Sequence, residues 1–207
     1  MRECINDPFY ELIKKHDRCV VDYCIMESGA PHRGGAPHRG EASHRDAVLY
    51  AMLKMIERSI EEDLETETKW NVSVPLFPWT LDIAKAEAVP TDPAVLLFVP
   101  RILRTDRNGT VFYDADWESN DQSCGGRIPY WYAFLEPPHG THDTPDDLRE
   151  INAALFPQGA DALEAYEWTT NWSNYFEAGH EWWGALCCTV YDAHLNRYVA
   201  MFASATD

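Results

Sequence analysis

The chain has 207 residues, of which 45% are hydrophobic and 25% are charged, as in an ordinary globular protein. A chain of this length can bury enough apolar surface to be stable without disulfides, and its longest apolar runs are far shorter than the ~20 residues of a membrane span. Residues 1–58 contain 9 basic and 9 acidic residues, whereas residues 59–207 contain 8 and 25 and so carry the whole net charge of −17. This charge disfavours nucleic acid and anionic membranes as partners and favours a basic one, although acidity also serves solubility alone.

Two amphipathic helices are predicted in the N-terminal part. Asp7 and Pro8 are typical of a helix start, and the first helix is expected to continue to Gly29. A second helix is expected to begin near Ser43 or Asp46. The apolar side chains of the first recur at Phe9, Leu12, Ile13, His16, Val20, Tyr23 and Cys24, and those of the second at Leu49, Met52, Leu53, Ile56, Ile60 and Leu64. The pattern predicts an antiparallel helix pair over residues 1–66.

A tandem repeat joins these two helices. The hexapeptide GAPHRG occupies residues 29–34 and 35–40, and a third, divergent copy follows at 41–46. Glycine and proline at this density predict a flexible loop over residues 29–42. His32, His38 and His44 are spaced six apart, but no carboxylate or thiol recurs with them. The duplication itself explains the spacing, so we expect no metal here.

Beyond residue 70 the pattern favours strands. An edge segment is predicted at 70–76, a hairpin at 94–103 and 110–113 around Asn108 and Gly109, and a strand at 128–135. A helix is expected from Thr144 to Pro157, with Leu148, Ile151 and Leu155 facing inward. A strand at 163–169, a helical turn at 172–178 and a hairpin of 182–191 with 197–204 complete the chain. The expected fold is α+β, a single domain whose acidic, aromatic-rich part (70–207) forms a mainly antiparallel sheet.

The six cysteines are expected to be reduced thiols. The N-terminus becomes polar before a signal-peptide core could form, which predicts a cytoplasmic protein. Cys187 and Cys188 are adjacent on a predicted strand, so their side chains should point to opposite faces of the sheet.

Two histidine motifs invite a metal interpretation. His180 and Glu181 begin the zinc-protease pattern HExxH, but Gly184 stands where the second histidine is required, so that interpretation is rejected. His139, His142 and the following Asp143 precede a helix start, where they could hold a metal with a distant ligand or simply form a helix-capping turn. We predict no metal and no cofactor.

Part of the C-terminal region is similar to a known group of proteins. Residues 132–140 (YAFLEPPHG), 181–184 (EWWG) and 203–207 (ASATD) resemble segments of conserved bacterial proteins with no known activity. The resemblance extends over roughly residues 128–207. It implies a bacterial source and transfers no functional residue.

Two functions remain open. The first is an interaction module, of the immunity or antitoxin type, that binds a basic protein through Glu136, Trp172, Glu177 and Glu181. The second is a hydrolase acting on a small molecule or carbohydrate in a tryptophan-lined cleft. Its acid and base groups would be His139, His142, His180 and Glu181. Candidate cleft residues also include Glu164, Glu167, Trp131, Trp168, Trp182 and Trp183.

Overall fold

A computed structural model describes residues 1–28, 40–97 and 127–205, together with the backbone of the short strands at 102–105 and 111–113. The helices are α1 (Phe9–Ile13), α2 (Gly40–Trp70), α3 (Pro93–Leu97), α4 (Tyr130–Leu135), α5 (Pro145–Leu155) and α6 (Glu177–His180). The strands are β1 (Arg2–Glu3), β2 (Asp22–Glu27), β3 (Ala88–Thr91), β4 (Ile102–Thr105), β5 (Val111–Tyr113), β6 (Leu163–Trp168), β7 (Ala185–Asp192) and β8 (Arg197–Ser204). Two 3-10 turns lie at Ile83–Lys85 and Asn174–Phe176.

Six strands form one antiparallel sheet in the order β1-β2-β8-β7-β6-β3, and β4 pairs with β5 separately. The predicted α+β class with a mainly antiparallel sheet is therefore confirmed. The C-terminal hairpin is confirmed as well. The hairpin predicted at 94–103 and 110–113 is confirmed in part, since its first strand is shorter and lies at Ile102–Thr105. The turn at residues 106–110 lies outside the described residues.

The β7–β8 hairpin is the centre of the sheet because both of its faces are covered. All eight residues of β7 are buried. The turn is fixed by Asp192, whose Oδ1 accepts hydrogen bonds from the backbone N–H groups of His194 and Leu195 at 2.8 and 3.0 Å. Asn196 then takes a positive φ of 49° to bring the chain back. A strand buried on both faces requires a layer on each side, and the helices supply both.

One layer, here called the four-helix face, consists of α1, α3, α4 and α5. Helix α5 packs Leu148, Ile151 and Leu155 against the sheet, as predicted. Its start is fixed by a capping box in which Thr144 accepts from the N–H of Asp147 while Asp147 accepts from the N–H of Thr144. The sheet residues beneath this layer include Tyr23, Ile25, Cys188, Val190, Val199 and Met201.

The opposite layer, the α2 face, is closed mainly by one long helix. The buried side chains of α2 are His44, Ala47, Val48, Ala51 and Met52, all in its first half. They contact an aromatic set from the sheet and the segment after β6, namely Trp168, Trp172, Phe176, Tyr191, Tyr198 and Phe202. Cys187 belongs to this face and Cys188 to the other, so the predicted opposite orientation of the two thiols is confirmed.

The predicted N-terminal helix pair is wrong. The first helix ends at Ile13, and residues 22–27 form β2, which lies between β1 and β8. The apolar spacing that suggested a continuous helix arises because Tyr23, Cys24, Ile25 and Met26 are buried on both faces of the sheet. Pairing with β8 therefore outweighs the local helical pattern. Pro8 is the N-cap residue of this short helix, and Oδ1 of Asp7 before it accepts from the N–H of Phe9 at 3.0 Å.

Other predicted elements also differ. The second helix begins at Gly40, so residues 40–42 of the predicted loop are helical, and residues 29–39 lie outside the described residues. No strand forms at 71–79 in the described structure, and residues 93–97 are helical. The predicted strand at 128–135 is helix α4, in which every residue but Tyr132 is fully buried. A segment rich in aromatics is compatible with either structure when it is enclosed on all sides, and Pro129 at its start favours the helix.

In the described part of the chain, none of the helices combines the length and the apolar character that crossing a membrane would require. Cys4, Cys19, Cys24, Cys187 and Cys188 are free thiols.

Candidate functional site

A cleft of about 280 Å³ opens beside the α2 face, between the segments 80–85 and 170–180. It is smaller than most pockets for drug-sized ligands, so it suits a small molecule or one inserted side chain. Its lining residues are Thr80, Leu81, Asp82, Lys85, Thr170, Asn171, Trp172, Ser173, Asn174, Glu177 and His180. Three residues predicted from the sequence, Trp172, Glu177 and His180, thus meet in one place.

Hydrogen bonds fix the two walls of the cleft to each other. Leu81 and Ser173 form an antiparallel bridge, and the N–H of Asp82 donates to the carbonyl of Trp172 at 2.7 Å. The amide of Asn174 accepts from the N–H of Thr80 and donates to the carbonyl of Pro78, both at 2.9 Å. The cleft is therefore formed before any ligand arrives.

Trp172 belongs to the core beneath the cleft. Its side chain is 2% exposed and meets Phe176 edge-to-face, with ring centroids 5.6 Å apart. Because its ring is enclosed by the aromatic set of the α2 face, Trp172 offers little surface to a partner, and its binding role stays a prediction. Its indole N–H has no partner among the described residues.

His180 and Thr170 form the most defined polar pair of the cleft. Nε2 of His180 lies 2.7 Å from the hydroxyl oxygen of Thr170, whose side chain is buried. Burial lowers the pKa of His180, and the nearby carboxylate of Glu177 opposes that shift. At neutral pH the imidazole is therefore uncharged, and it can accept a proton or a hydrogen bond.

The charged groups of the cleft are mainly acidic. Asp82 and Glu177 contribute two carboxylates, and Lys85 one ammonium group. Lys85 lies 3.2 Å from Asp82, and both side chains are more than half exposed, so this pair stabilises the fold little. Lys85 is the last lysine in the sequence, and the residues after it contain far fewer basic than acidic side chains.

The remaining predicted binding residues lie around α6, outside the lining of the cleft. Glu181 follows α6 directly and is exposed, and Trp182 beside it is 45% exposed. Glu136 is also exposed, and its carbonyl accepts a hydrogen bond from the indole N–H of Trp183 at 2.8 Å. This contact brings the backbone of Glu136 next to the segment 181–183.

His139 and His142 do not join His180. Both are exposed in the loop between α4 and α5, on the four-helix side, and neither lines the cleft. Asp143 instead binds His16, with Oδ1 2.6 Å from Nδ1, and Thr144 caps α5. The capping interpretation of this loop is therefore the one that the structure supports.

Metal-ligating side chains do not converge within the described residues, where no three His, Cys, Asp or Glu groups come close enough to hold an ion. His32 and His38 of the repeat lie outside those residues. His44 is fully buried in α2, with Nδ1 2.9 Å from the hydroxyl of Thr189 and Nε2 4.0 Å from Glu164.

The tryptophans that suggested a lined cleft are mostly core. Trp131, Trp168, Trp172 and Trp183 are at most 5% exposed. Of these four, Trp172 alone reaches the lining of the cleft described above, and Trp182 is the candidate that offers most of its ring to a ligand. The residues missed from the sequence are Asp82, Lys85 and Thr170. Thr170 lies two residues before Trp172, but a single threonine is not typical of any functional motif. Asp82 and Lys85 belong to the 80–85 segment, which is about 90 residues away in the chain from the 170–180 segment.

No family model, curated protein or solved structure matches this chain. The bacterial resemblance of residues 128–207 therefore stays a prediction, and function has to be argued from the geometry alone.

Proposed function

We propose that this protein is an interaction module that binds a basic protein partner through the acidic surface around the cleft. The observation that carries the proposal is the clustering of Glu177, Glu181 and Trp182 on one short segment. The two glutamates are exposed and four residues apart, and the tryptophan beside them is 45% exposed. An exposed tryptophan flanked by carboxylates suits a basic partner, because aromatic side chains often dominate binding and carboxylates accelerate encounter.

The cleft gives this surface a point of insertion. Its volume of about 280 Å³ is sufficient for one long basic side chain, and Asp82 and Glu177 offer carboxylates to it. A partner arginine or lysine placed there would be held by charge-assisted hydrogen bonds. An immunity or antitoxin-type inhibitor of a basic toxin is the concrete form of this proposal.

The test is affinity capture from the source organism, with identification of the bound protein and a salt titration of the complex. We expect a basic partner whose association slows steeply with salt, because steering charges are screened. The variant Glu177→Lys/Glu181→Lys should weaken binding at least tenfold. Asp146→Lys/Glu150→Lys on α5 is the matched control, since it makes the same change in net charge at exposed positions of the four-helix face. Equal loss in both variants, or capture of no basic protein, would contradict the proposal.

A second function is supported by the pair formed by Thr170 and His180. A hydroxyl 2.7 Å from an uncharged imidazole, inside a cleft and near Glu177, has the geometry of a nucleophile with its general base. In that case the Thr170 oxygen would attack an acyl carbon, and His180 would take the hydroxyl proton and return it to the leaving group. Water would then release the acyl group from Thr170.

This alternative is tested by screening ester and amide substrates for hydrolysis. Activity that is lost in both Thr170→Val and His180→Gln, and kept in His139→Gln, would establish the hydrolase and displace the interaction module. Activity independent of Thr170 would argue against this mechanism.

A further inference from the structure

Helix α2 is much longer than the sheet on which it packs. Its 31 residues span about 46 Å at 1.5 Å per residue, whereas an eight-residue strand spans about 26 Å. No residue of α2 beyond Met52 is fully buried. Met55 and Ile56 still pack partly against the core, and Arg58 pairs with Glu3 of β1. The helix therefore leaves the apolar core after Ile56, and its last turns project from the layer that its first half closes.

The chain returns along this projecting half. After Trp70, Asn71 takes a positive φ of 50° and turns the backbone. The N–H of Val74 then donates to Glu67 Oε1 at 2.7 Å, which holds the extended segment beside the last turns of the helix. Residues 57–77 thus form a helix with an attached return segment, here called the arm.

Large apolar side chains are concentrated on the arm. Five of them lie within fourteen residues of the chain and are 46–65% exposed, namely Leu64, Trp70, Val72, Leu76 and Phe77. Elsewhere in the described structure the exposed large apolar residues are scattered along the sequence. Single exposed apolar residues are normal, but such a concentration is typical of an interaction surface.

The negative charge of the arm indicates which kind of partner can bind to it. Residues 57–77 contain two basic residues, Arg58 and Lys69, against six carboxylates, at Glu57, Glu61, Glu62, Asp63, Glu65 and Glu67. A second copy of this chain would place the same six carboxylates against them, which disfavours self-association. A partner that covers the apolar residues must therefore carry positive charge around them.

The arm is continuous with the cleft. The return segment leads through Trp79, which stacks on Tyr175 with ring centroids 6.5 Å apart, into Thr80 at the cleft. Asn174 holds Pro78 from the cleft side. One partner can therefore contact both regions along a single edge of the molecule.

We infer that the arm is the docking surface for a basic amphipathic helix of the partner, with its apolar stripe on Trp70 and Leu76 and its cations on the carboxylates of α2. Helix-in-groove recognition uses this combination of an apolar stripe and flanking charge. The inference rests on the proposed function, because it specifies where and by what kind of segment the basic partner is bound.

The experiment uses the full chain and a fluorescein-labelled 18-residue amphipathic peptide of lysine and leucine. Fluorescence anisotropy should show saturable binding to the wild type. The same peptide with serine in place of leucine should bind the wild-type protein at least tenfold more weakly. The leucine-containing peptide should likewise bind the variant Trp70→Ser/Leu76→Ser at least tenfold more weakly than it binds the wild type. Ile5→Ser/Val95→Ser is the matched control, because these side chains are 68% and 52% exposed and lie off the arm. Its affinity should stay within twofold of the wild type.

Three results would overturn the inference. The first is equal weakening by the arm and control variants, and the second is binding that does not depend on the leucines. The third is a wild-type dimer in sedimentation velocity that the arm variant dissociates. The variant Glu177→Lys/Glu181→Lys separates the two proposals. If it abolishes capture of the basic partner while Trp70→Ser/Leu76→Ser leaves capture and peptide binding intact, the arm is excluded and the cleft surface stands.

Discussion

The two faces of the central sheet differ in how completely their buried polar groups are paired. On the four-helix face, Tyr23 donates to Tyr130 at 2.9 Å and Tyr130 donates to Asn152 at 3.1 Å. The amide of Asn152 donates in turn to the carbonyl of Leu97. On the α2 face, Nε2 of His44 and Nε1 of Trp172 have no hydrogen-bond partner among the described residues. On the four-helix side Nε of Arg197 is also unpaired, but the other two nitrogens of that guanidinium donate to Asp7 and to the carbonyl of Leu155.

The difference separates a structural layer from a functional one. A fully paired buried network favours a single packing arrangement, whereas an unpaired buried group reduces stability. The α2 face holds two rings with an unpaired nitrogen, the cleft beside Trp172 and the projecting half of α2. The four-helix face therefore contributes mainly stability, and the α2 face carries the surfaces to which we assign binding.

Removal of a large side chain from the four-helix face should have the largest effect on stability. Phe134 is 0% exposed in α4, so Phe134→Ala should reduce the free energy of unfolding by about 4 kcal/mol, through lost burial and a residual cavity. Urea denaturation measures the change. The control is Phe77→Ala on the arm, where the ring is 46% exposed, and its loss should stay below about 1 kcal/mol. A similar loss in both variants would mean that the arm is part of the core.

The second prediction is a pH dependence located on the α2 face. Burial lowers the pKa of His44 to about 4, with Glu164 opposing the shift. In the unfolded chain the pKa of this histidine is ~6.5, so as the pH falls the unfolded state takes up the proton before the folded state does. The folded state therefore has its full stability above pH ~6.5 and loses part of it as the pH falls towards 4. The loss amounts to about 3 kcal/mol.

Urea denaturation at pH 7 and pH 4 checks this value. His44→Gln should be less sensitive to the change of pH than the wild type by that amount. His139→Gln, at an exposed position, should behave like the wild type. An unchanged pH response in His44→Gln would show that His44 is not the group responsible.

A smaller effect on the free energy of unfolding is expected at Thr189, whose hydroxyl contacts the rings of Trp168 and His44. Thr189 Oγ1 accepts from the indole N–H of Trp168 at 3.0 Å and lies 2.9 Å from Nδ1 of His44. Thr189→Val keeps the shape but leaves both ring nitrogens without this partner, at a cost of about 2 kcal/mol. Denaturation of the variant and of the exposed control Thr66→Val measures the difference. Losses within about 0.5 kcal/mol of each other would indicate that the α2 face tolerates further unpaired groups.

The smallest effect should come from the arm. Leu64→Ala is expected to change the free energy of unfolding by less than about 0.5 kcal/mol, because Leu64 is 48% exposed. Met52→Ala, three turns earlier on the same helix and fully buried, should cost about 3 kcal/mol. Comparison of the two by thermal denaturation locates the end of the core along α2. A large loss at Leu64 would place the arm within the folded core.

The elements that were predicted correctly have signals close together in the sequence. Helix α5 shows its capping residue Thr144 and its apolar spacing within twelve residues, and the β7–β8 hairpin shows its turn between two buried runs. Strand β2 and helix α4 were assigned incorrectly, because each is enclosed on all sides by distant parts of the chain. When every side chain is buried, the period that distinguishes a helix from a strand disappears.

The candidate site was predictable only in part, for the same reason. Glu177 and His180 lie within four residues, and each was proposed for a different function, but the other wall of the cleft comes from Asp82 and Lys85. Neither residue type nor spacing links these two segments. The link is the bridge between Leu81 and Ser173, which is a product of folding.

The adjacent thiols of β7 have an experimental consequence. Cys187 lies under α2 and Cys188 lies under the helices of the four-helix face. Burial raises the pKa of each thiol well above the ordinary value for cysteine. Because alkylating reagents react with the thiolate, each cysteine is protected until its own layer opens. The two residues are neighbours in sequence and fall in one proteolytic fragment, so a single mass-spectrometric time course records how fast each side of the sheet becomes accessible to solvent.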